Sequence, residues 1–313
     1  MKKVIVSLMI GLMACMVTTA VDKTPVQLAL DVASHLKAVG DYVKAQAAYE
    51  KIIVDFPDAP VDTLAGAQNA AGMCLVSQKK PAEAKIMIEK ALKDYAAASI
   101  AEKATLQMCI AFCDYSQQKY PEAIVEYQKV LDTYPTARVS TLFASQQAQG
   151  YCLRNQGKKA EAVIAFEKAM TDYPGASLSL LAVTQYTIGH MYQGLGNTDK
   201  ALAAYRATLN NYPEAPASTL MLAQYGLANS LKYAGTPAEA NAAYMSVIIN
   251  NVQRVGAKDR KGMIWLSFEK VDPKLLTFDE YRDFLKYIIK VTSAIEDNAE
   301  FLGRVKSESE KMK

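Results

Sequence analysis

The chain has 313 residues, 51% of them apolar and 21% charged, with 15 Gly, 11 Pro and one Trp. A soluble, folded protein fits these values, and disordered, collagen-like and mucin-like chains do not. The net charge is +3, and setting Lys2 and Lys3 aside leaves 33 bases against 32 acids, so no global field gathers nucleic acid; two histidines leave little material for histidine-based catalysis or metal binding.

Residues 1–20, MKKVIVSLMIGLMACMVTTA, read as an export signal. Lys2 and Lys3 make a basic start, Val4–Val17 an apolar run of 14 residues, and Thr18-Thr19-Ala20 places small residues before a cleavage site. Cleavage there leaves Val21 first. The run is shorter than the roughly 20 residues a membrane span needs. Leu12-Met13-Ala14-Cys15 resembles a bacterial lipobox, so an outer-membrane lipoprotein anchored through Cys15 is the alternative. Either reading puts the mature protein outside the cytoplasm, in a bacterial periplasm or secreted.

Residues 24–252 repeat. Ala45, Ala84, Ala123, Ala162, Ala201 and Ala240 are each 39 residues apart. Four residues after each come Tyr49, Ile88, Tyr127, Phe166, Tyr205 and Tyr244; twelve before each come Ala33, Gly72, Ala111, Gly150, Gly189 and Ala228. Pro57, Pro135, Pro174 and Pro213 close four of the six units, and Ala96 and Val252 stand in the other two. Each unit reads as two helices. The second begins near the alanine, with apolar spacing such as Ala123, Tyr127, Val130 and Leu131, and proline stops it. Gly40, Gly157, Gly196 and Gly235 suit a left-handed cap between the helices. Thr236-Pro237-Ala238-Glu239 has the form of a capping box. The small residues are expected to let the two helices of a unit approach, with Gly or Ala of the first facing Ala of the second.

These residues resemble the tetratricopeptide repeat, which places small residues, Ala, an aromatic and Pro at matching offsets. Tyr-Pro at 134–135, 173–174 and 212–213 is similar to the periplasmic and outer-membrane branch of that family, which includes the outer-membrane β-barrel assembly lipoprotein and the Tol–Pal-associated cell-division coordinator. The resemblance implies an all-α, right-handed α-solenoid of six helix-turn-helix repeats. The unit here has 39 residues where the common one has about 34.

Residues 253–313 leave the register. Thr277-Phe278-Asp279-Glu280 is a second capping box, followed by an apolar stripe of Tyr281, Phe284, Leu285, Ile288, Ile289 and Ile295. This segment is expected to cap the open end of the array, with partner docking as the other reading. The terminal KSESEKMK is expected to fray.

Cys74, Cys113 and Cys152 share one repeat position, which reads as a small buried residue; an inter-helix disulfide through Cys109 is the alternative. Gln68, Gln107, Gln146, Gln185 and Gln224 also fall 39 apart, and an inter-repeat hydrogen-bonded ladder would explain them. No nucleophile elbow, zinc-protease motif, phosphate-binding loop or C-x-x-C occurs, so no catalytic, cofactor-binding or metal-binding residue is assigned.

The family resemblance further implies a groove lined by first helices. Carrying its offsets over gives Asn69, Met108, Gln147, Tyr186 and Tyr225; Met73, Phe112, Tyr151, His190 and Asn229; and Lys37, Val76, Tyr115, Arg154, Gln193 and Lys232. None of these sixteen positions is acidic. The groove is expected to take a protein or extended peptide bearing an acidic group or terminal carboxylate across repeats 3 to 6. The function expected is a non-catalytic adaptor or assembly factor of the cell envelope. An envelope polysaccharide-handling accessory or enzyme with its site in the C-terminal part is the first alternative, and a structural homo-oligomer using the end faces the second.

Overall fold

The computed structural model describes residues 23–252, 260–293 and 299–311. The expected leader, with Cys15 and the cleavage site, lies outside them, as does Ile295. Among the described residues the chain is all-α, with fifteen α-helices and no strand. The first twelve form six consecutive pairs: α1 (Pro25–Ala38) with α2 (Tyr42–Asp55), α3 (Val61–Ser77) with α4 (Pro81–Asp94), α5 (Ile100–Ser116) with α6 (Tyr120–Thr133), α7 (Val139–Asn155) with α8 (Lys159–Asp172), α9 (Leu178–Gly194) with α10 (Thr198–Asn211), and α11 (Ala217–Tyr233) with α12 (Pro237–Asn251). Second helices start 39 residues apart throughout, and the first helices from α3 to α11 all have 17 residues. The chain divides after Cys152, inside α7, into two compact units.

The turn inside each pair is one motif used six times. Gly40, Gly157, Gly196 and Gly235 have φ of 84°, 80°, 74° and 79°, the left-handed region that glycine enters without a β-carbon penalty. Lys79 (φ 67°) and Gln118 (φ 61°) hold the same conformation in the two pairs that lack the glycine. The backbone closes identically in all six. In the first, Gly40 N–H donates to Lys37 O and Asp41 N–H to Leu36 O; in the third, Gln118 N–H donates to Tyr115 O and Lys119 N–H to Asp114 O. This Schellman closure satisfies carbonyls that a helix end would leave open. Thr236 does not form the capping box its sequence suggests: its hydroxyl donates 2.9 Å to Leu231 O, back into the preceding helix.

The central alanines are buried in every repeat, and so are the large residues four positions on. At two of the small first-helix positions those large side chains come closest. A β-carbon on Gly72 would lie 2.6 Å from Ile88 Cγ1, and one on Gly189 2.9 Å from the Tyr205 ring. At these two joints the small residue meets both large and small neighbours, since the same β-carbons would lie 3.4 Å from Ala84 O and 3.3 Å from Ala204 Cβ. Elsewhere Ala33 with Ala45, Ala111 with Ala123 and Ala228 with Ala240 share buried clusters, in line with the small-on-small expectation.

In the first unit, Tyr49 and Ile52 of α2 pack with Ala67, Ala71 and Cys74 of α3, so one repeat's second helix is roofed by the next repeat's first. Ile88, Leu106, Ile110 and Cys113 continue the pattern. Cys74, Cys109, Cys113 and Cys152 are free and buried. The disulfide alternative does not form, and burial pushes the Cys109 thiol up to about 11 and those of Cys113 and Cys152 to about 12. Of the five glutamines, Gln146 connects to the preceding repeat, through Gln149, which donates to Gln128 Oε1 at 3.0 Å; Gln68 and Gln107 stay within their own repeats. Gln68 Nε2 donates to Met87 O (3.1 Å) and Gln107 Nε2 to Glu126 Oε2 (2.6 Å), each reaching the second helix of its own pair. A charge pair is buried here too: Lys85 Nζ on α4 meets Asp114 Oδ2 on α5 at 2.7 Å, with the Asp114 side chain only 2% exposed.

In the second unit the last pair is covered by α13 (Trp265–Lys270), α14 (Phe278–Thr292) and α15 (Ala299–Glu310). Tyr244, Val247 and Ile248 of α12 share one apolar cluster with Phe268, Leu285, Ile288, Phe301 and Val305. Thr277 starts α14 with the expected reciprocal cap: Glu280 N–H donates to Thr277 Oγ1 (3.2 Å) and Thr277 N–H to Glu280 Oε2 (2.7 Å). Helix α15 runs on to Glu310, into the KSESEKMK segment, and its buried residues are Phe301 and Val305.

Candidate functional site

In the first unit the expected groove residues sit along four first helices. Lys37 on α1 is exposed, while Asn69, Met73 and Val76 on α3 are half-buried. On α5, Phe112 is 37% exposed and stacks on half-buried Tyr115, ring centres 6.1 Å apart, and Tyr120 meets Tyr115 edge-on at 5.6 Å. Met108 and Tyr115 also pack against the buried cluster of Tyr127 and Cys152, so they build wall as well as surface. Tyr151 on α7 is half-buried, whereas Gln147 is buried and does not line an open face.

In the second unit Arg154, near the end of α7, is half-buried, with Nε and Nη2 each 3.3 Å from Asn155 Oδ1. Tyr186 lies between His190 (6.3 Å) and Tyr205 (6.0 Å). His190 is exposed, and partial burial together with the positive charges of Arg154 and Lys159 holds its imidazole below the ordinary value. Tyr225 meets Tyr244 edge-on at 6.0 Å, and Lys232 is exposed. Two expected contacts also have structural work. Gln193 Oε1 accepts from the Tyr205 hydroxyl (3.0 Å) and Asn229 Oδ1 from that of Tyr244 (2.7 Å), each tying a first helix to its own second helix.

Offset counting missed two cations. Lys159 Nζ donates to Gly194 O at 3.1 Å beside the His190 group. Lys270, on α13, lies 5.9 Å from the Tyr225 ring and 5.6 Å from that of Tyr244, within cation–π range. Lys270 lies beyond the periodic region, so no repeat offset reaches it. The sequence reading also missed the outer face of the second helices. In the first unit a cleft of about 460 Å³ runs between α2 and α4, walled by Glu50, Ile53, Ile86 and Lys90 over Gln68 and Leu75. A second, of about 300 Å³, recurs one repeat on with Glu89, Leu92, Gln107 and Lys129 in equivalent places. The signal was available as a run of aliphatic residues two positions after each central alanine.

Among the described residues no group of three or more His, Cys, Asp or Glu side chains is placed to hold a metal ion, and no helix is long and apolar enough to cross a membrane. Family models described as tetratricopeptide repeats match residues 145–176 and 186–244. No curated protein sequence matches the chain. Among solved structures it is similar to a tetratricopeptide repeat protein from Parabacteroides merdae, with 15% identity over 90% of this chain and 98% of that one and a TM-score of 0.50. It is likewise similar to BtubC from P. vanneervenii, with 14% identity over 72% and 90% and a TM-score of 0.54. At such identities the likeness shows the fold alone.

Proposed function

We propose that this tetratricopeptide-repeat protein is an exported, non-catalytic scaffold that holds a protein or extended peptide of the bacterial cell envelope on its first helices. The observation that carries this reading is a set of acid-free, partly aromatic first-helix positions, beside which the second unit brings Arg154 and, from the adjoining second helix, Lys159. Arg154, Lys159 and His190 lie close enough together for the first two to depress the third's basicity. Tyr186 and Tyr225 offer ring surface on the same helix layer, and Lys270 adds a cation from outside the repeats. Such a surface suits a carboxylate, at a peptide C-terminus or on an acidic side chain, because guanidinium and ammonium groups bond it with charge assistance and rigid rings add contact area at low entropy cost. In the first unit the stacked rings of Phe112 and Tyr115, and half-buried Tyr151, are a separate aromatic set suited to apolar side chains.

The experiment is capture of the partner from envelope extract by cross-linking, followed by affinity measurement with single variants. Arg154→Ala and Tyr151→Ala should each weaken binding by about 1 kcal/mol or more at unchanged helix content. Binding that ignores both changes but is lost on altering the exposed side of α14 would place the docking site on the C-terminal helices instead. Mass spectrometry of the exported chain tests the location: a start at Val21 supports simple secretion, an acylated Cys15 a lipoprotein, and an intact Met1 contradicts export.

A further inference from the structure

The residue two positions after each central alanine is exposed and aliphatic in every repeat: Ala47, Ile86, Val125, Ile164, Ala203 and Ala242. Water makes no demand for this, and the same helices carry Lys and Glu at other exposed positions. The bulky members stand out. Ile86 on α4 is 69% exposed and Val125 on α6 is 55% exposed. Each has a glutamate three residues before it and a lysine four after: Glu83 and Lys90, Glu122 and Lys129. In the second unit α8 carries the same triplet with Ile164. Where the position is alanine the charge pair is missing, as with Lys44 and Lys51 on α2 or Glu239 and Ser246 on α12. Bulk and paired charge occur together or not at all.

We propose that the outer ridge of α4 and α6 is a self-association surface, occupied by the same ridge of a second copy of this chain with its helices running antiparallel. A two-fold axis lying in the interface, across the helices, reverses their direction and keeps their lateral order. Each α4 then faces the other copy's α4, and each α6 the other α6. With the axis crossing between Ile86 and Met87 on α4 and between Val125 and Glu126 on α6, this register sets Glu83 against Lys90 of the other copy, and Glu122 against Lys129, twice over by symmetry. An isologous contact requires such self-complementarity. Parallel packing would set Glu on Glu and Lys on Lys, so the charges select the antiparallel arrangement. The present partners of the lysines are Asp94 and Glu126, each at 2.8 Å and within the same helix. The Lys90–Asp94 pair is exposed and exchanges at little cost, and Lys129 is the exposed member of its pair, while Glu126 is 17% exposed and keeps its bond from Gln107 when Lys129 turns away. The surface lies on the second helices and is independent of the first-helix site proposed above.

Sedimentation velocity over a concentration series tests this on the chain recovered after export. The expected result is a monomer–dimer equilibrium. Glu122→Lys should weaken it by roughly tenfold, since two copies of the pair are lost. Glu122→Lys combined with Lys129→Glu should restore it, because the exchanged charges again meet across the axis. Val125→Glu should abolish it at unchanged helix content. A chain that stays monomeric throughout overturns the proposal. So does a dimer indifferent to Glu122→Lys and Val125→Glu, or a double variant no tighter than the single one.

Discussion

Replacing Gly226 by alanine should destabilise the second unit, although glycine-to-alanine changes inside helices ordinarily stabilise. Gly226 lies in α11, and a β-carbon there would sit 2.4 Å from Cζ and 2.6 Å from Cε1 of Tyr205 on the preceding repeat. Carbon atoms pack at about 3.5–4.0 Å, so the overlap is about 1 Å. The ring has nowhere to go. Tyr205 is 1% exposed, Gly189 presses its other side closely enough that a β-carbon would lie 2.9 Å away, and its hydroxyl is bonded to Gln193. Overpacking of this kind costs about 1–3 kcal/mol, and the upper end applies where the obstacle is a rigid, buried ring. Relief of the glycine penalty returns about 1 kcal/mol. The net expectation is a loss of about 1–2 kcal/mol. Gly303→Ala on α15 is the reference, because nothing lies within 4 Å of its β-carbon, and it should gain up to about 1 kcal/mol. Urea titrations followed by circular dichroism measure both. A double-mutant cycle with Tyr205→Leu isolates the contact, since Gly226→Ala should be harmless once the ring is gone. If Gly226→Ala raises the midpoint as Gly303→Ala does, the account of the inter-repeat joint is wrong.

Lys79→Gly and Gln118→Gly should each stabilise the first unit by about 0.5–1 kcal/mol, because both residues now hold a left-handed backbone that glycine enters freely; thermal melts decide it. Lys85→Ala should cost about 2–3 kcal/mol by leaving the buried Asp114 carboxylate unpaired, while Asp114→Leu, which installs the residue found at the equivalent buried Leu75, should stay within about 1 kcal/mol in the same denaturant assay. Alkaline pH should unfold the chain cooperatively. Burial holds the hydroxyls of Tyr127, Tyr205 and Tyr244 above the ordinary 10.0, that of Tyr244 at about 12. Burial raises the thiols of Cys109, Cys113 and Cys152 above the ordinary 9.0 in the same way, so the unfolded chain loses thiol and phenol protons first. Stability should be level below about pH 8.5 and fall as the pH climbs toward 12; a denaturant series across that range that shows no fall refutes it.

The helix pairs were legible because their cause is local and repeated. A glycine at the left-handed turn, an alanine at the crossing and a proline after the last turn each act within a few residues, and six copies expose the register. The partners of those residues were less legible. Gly72 and Gly189 show in the sequence only that something comes close; that Ile88 and Tyr205 come closer than the neighbouring alanines depends on how the two helices roll against each other. Gln193 and Asn229 fit the family's groove offsets, yet their carbonyl oxygens are taken by Tyr205 and Tyr244 hydroxyls arriving from the second helix. Lys79 and Gln118 hid the turn completely, since nothing in a lysine or glutamine signals a positive φ that hydrogen bonds on both sides enforce. Asp114 shows the same limit: its pairing with Lys85 links positions 29 apart in the chain, for which no periodic rule exists.

The invariance of the 39-residue step means that this chain can change length only in whole quanta. Excising residues 79–117 would join Gln78 directly to Gln118, one left-handed turn to its equivalent, and every downstream side chain would keep its azimuth. Losing one residue more or fewer would rotate all that follows by about 100° about the helix axis and turn cores toward water. Copying errors in the underlying gene are therefore filtered sharply. Duplication or loss of an exact unit yields a longer or shorter array built on the same joints, while any other indel within the helices is lethal to the register. Reach is thus the property that evolution, or an engineer, can most cheaply adjust.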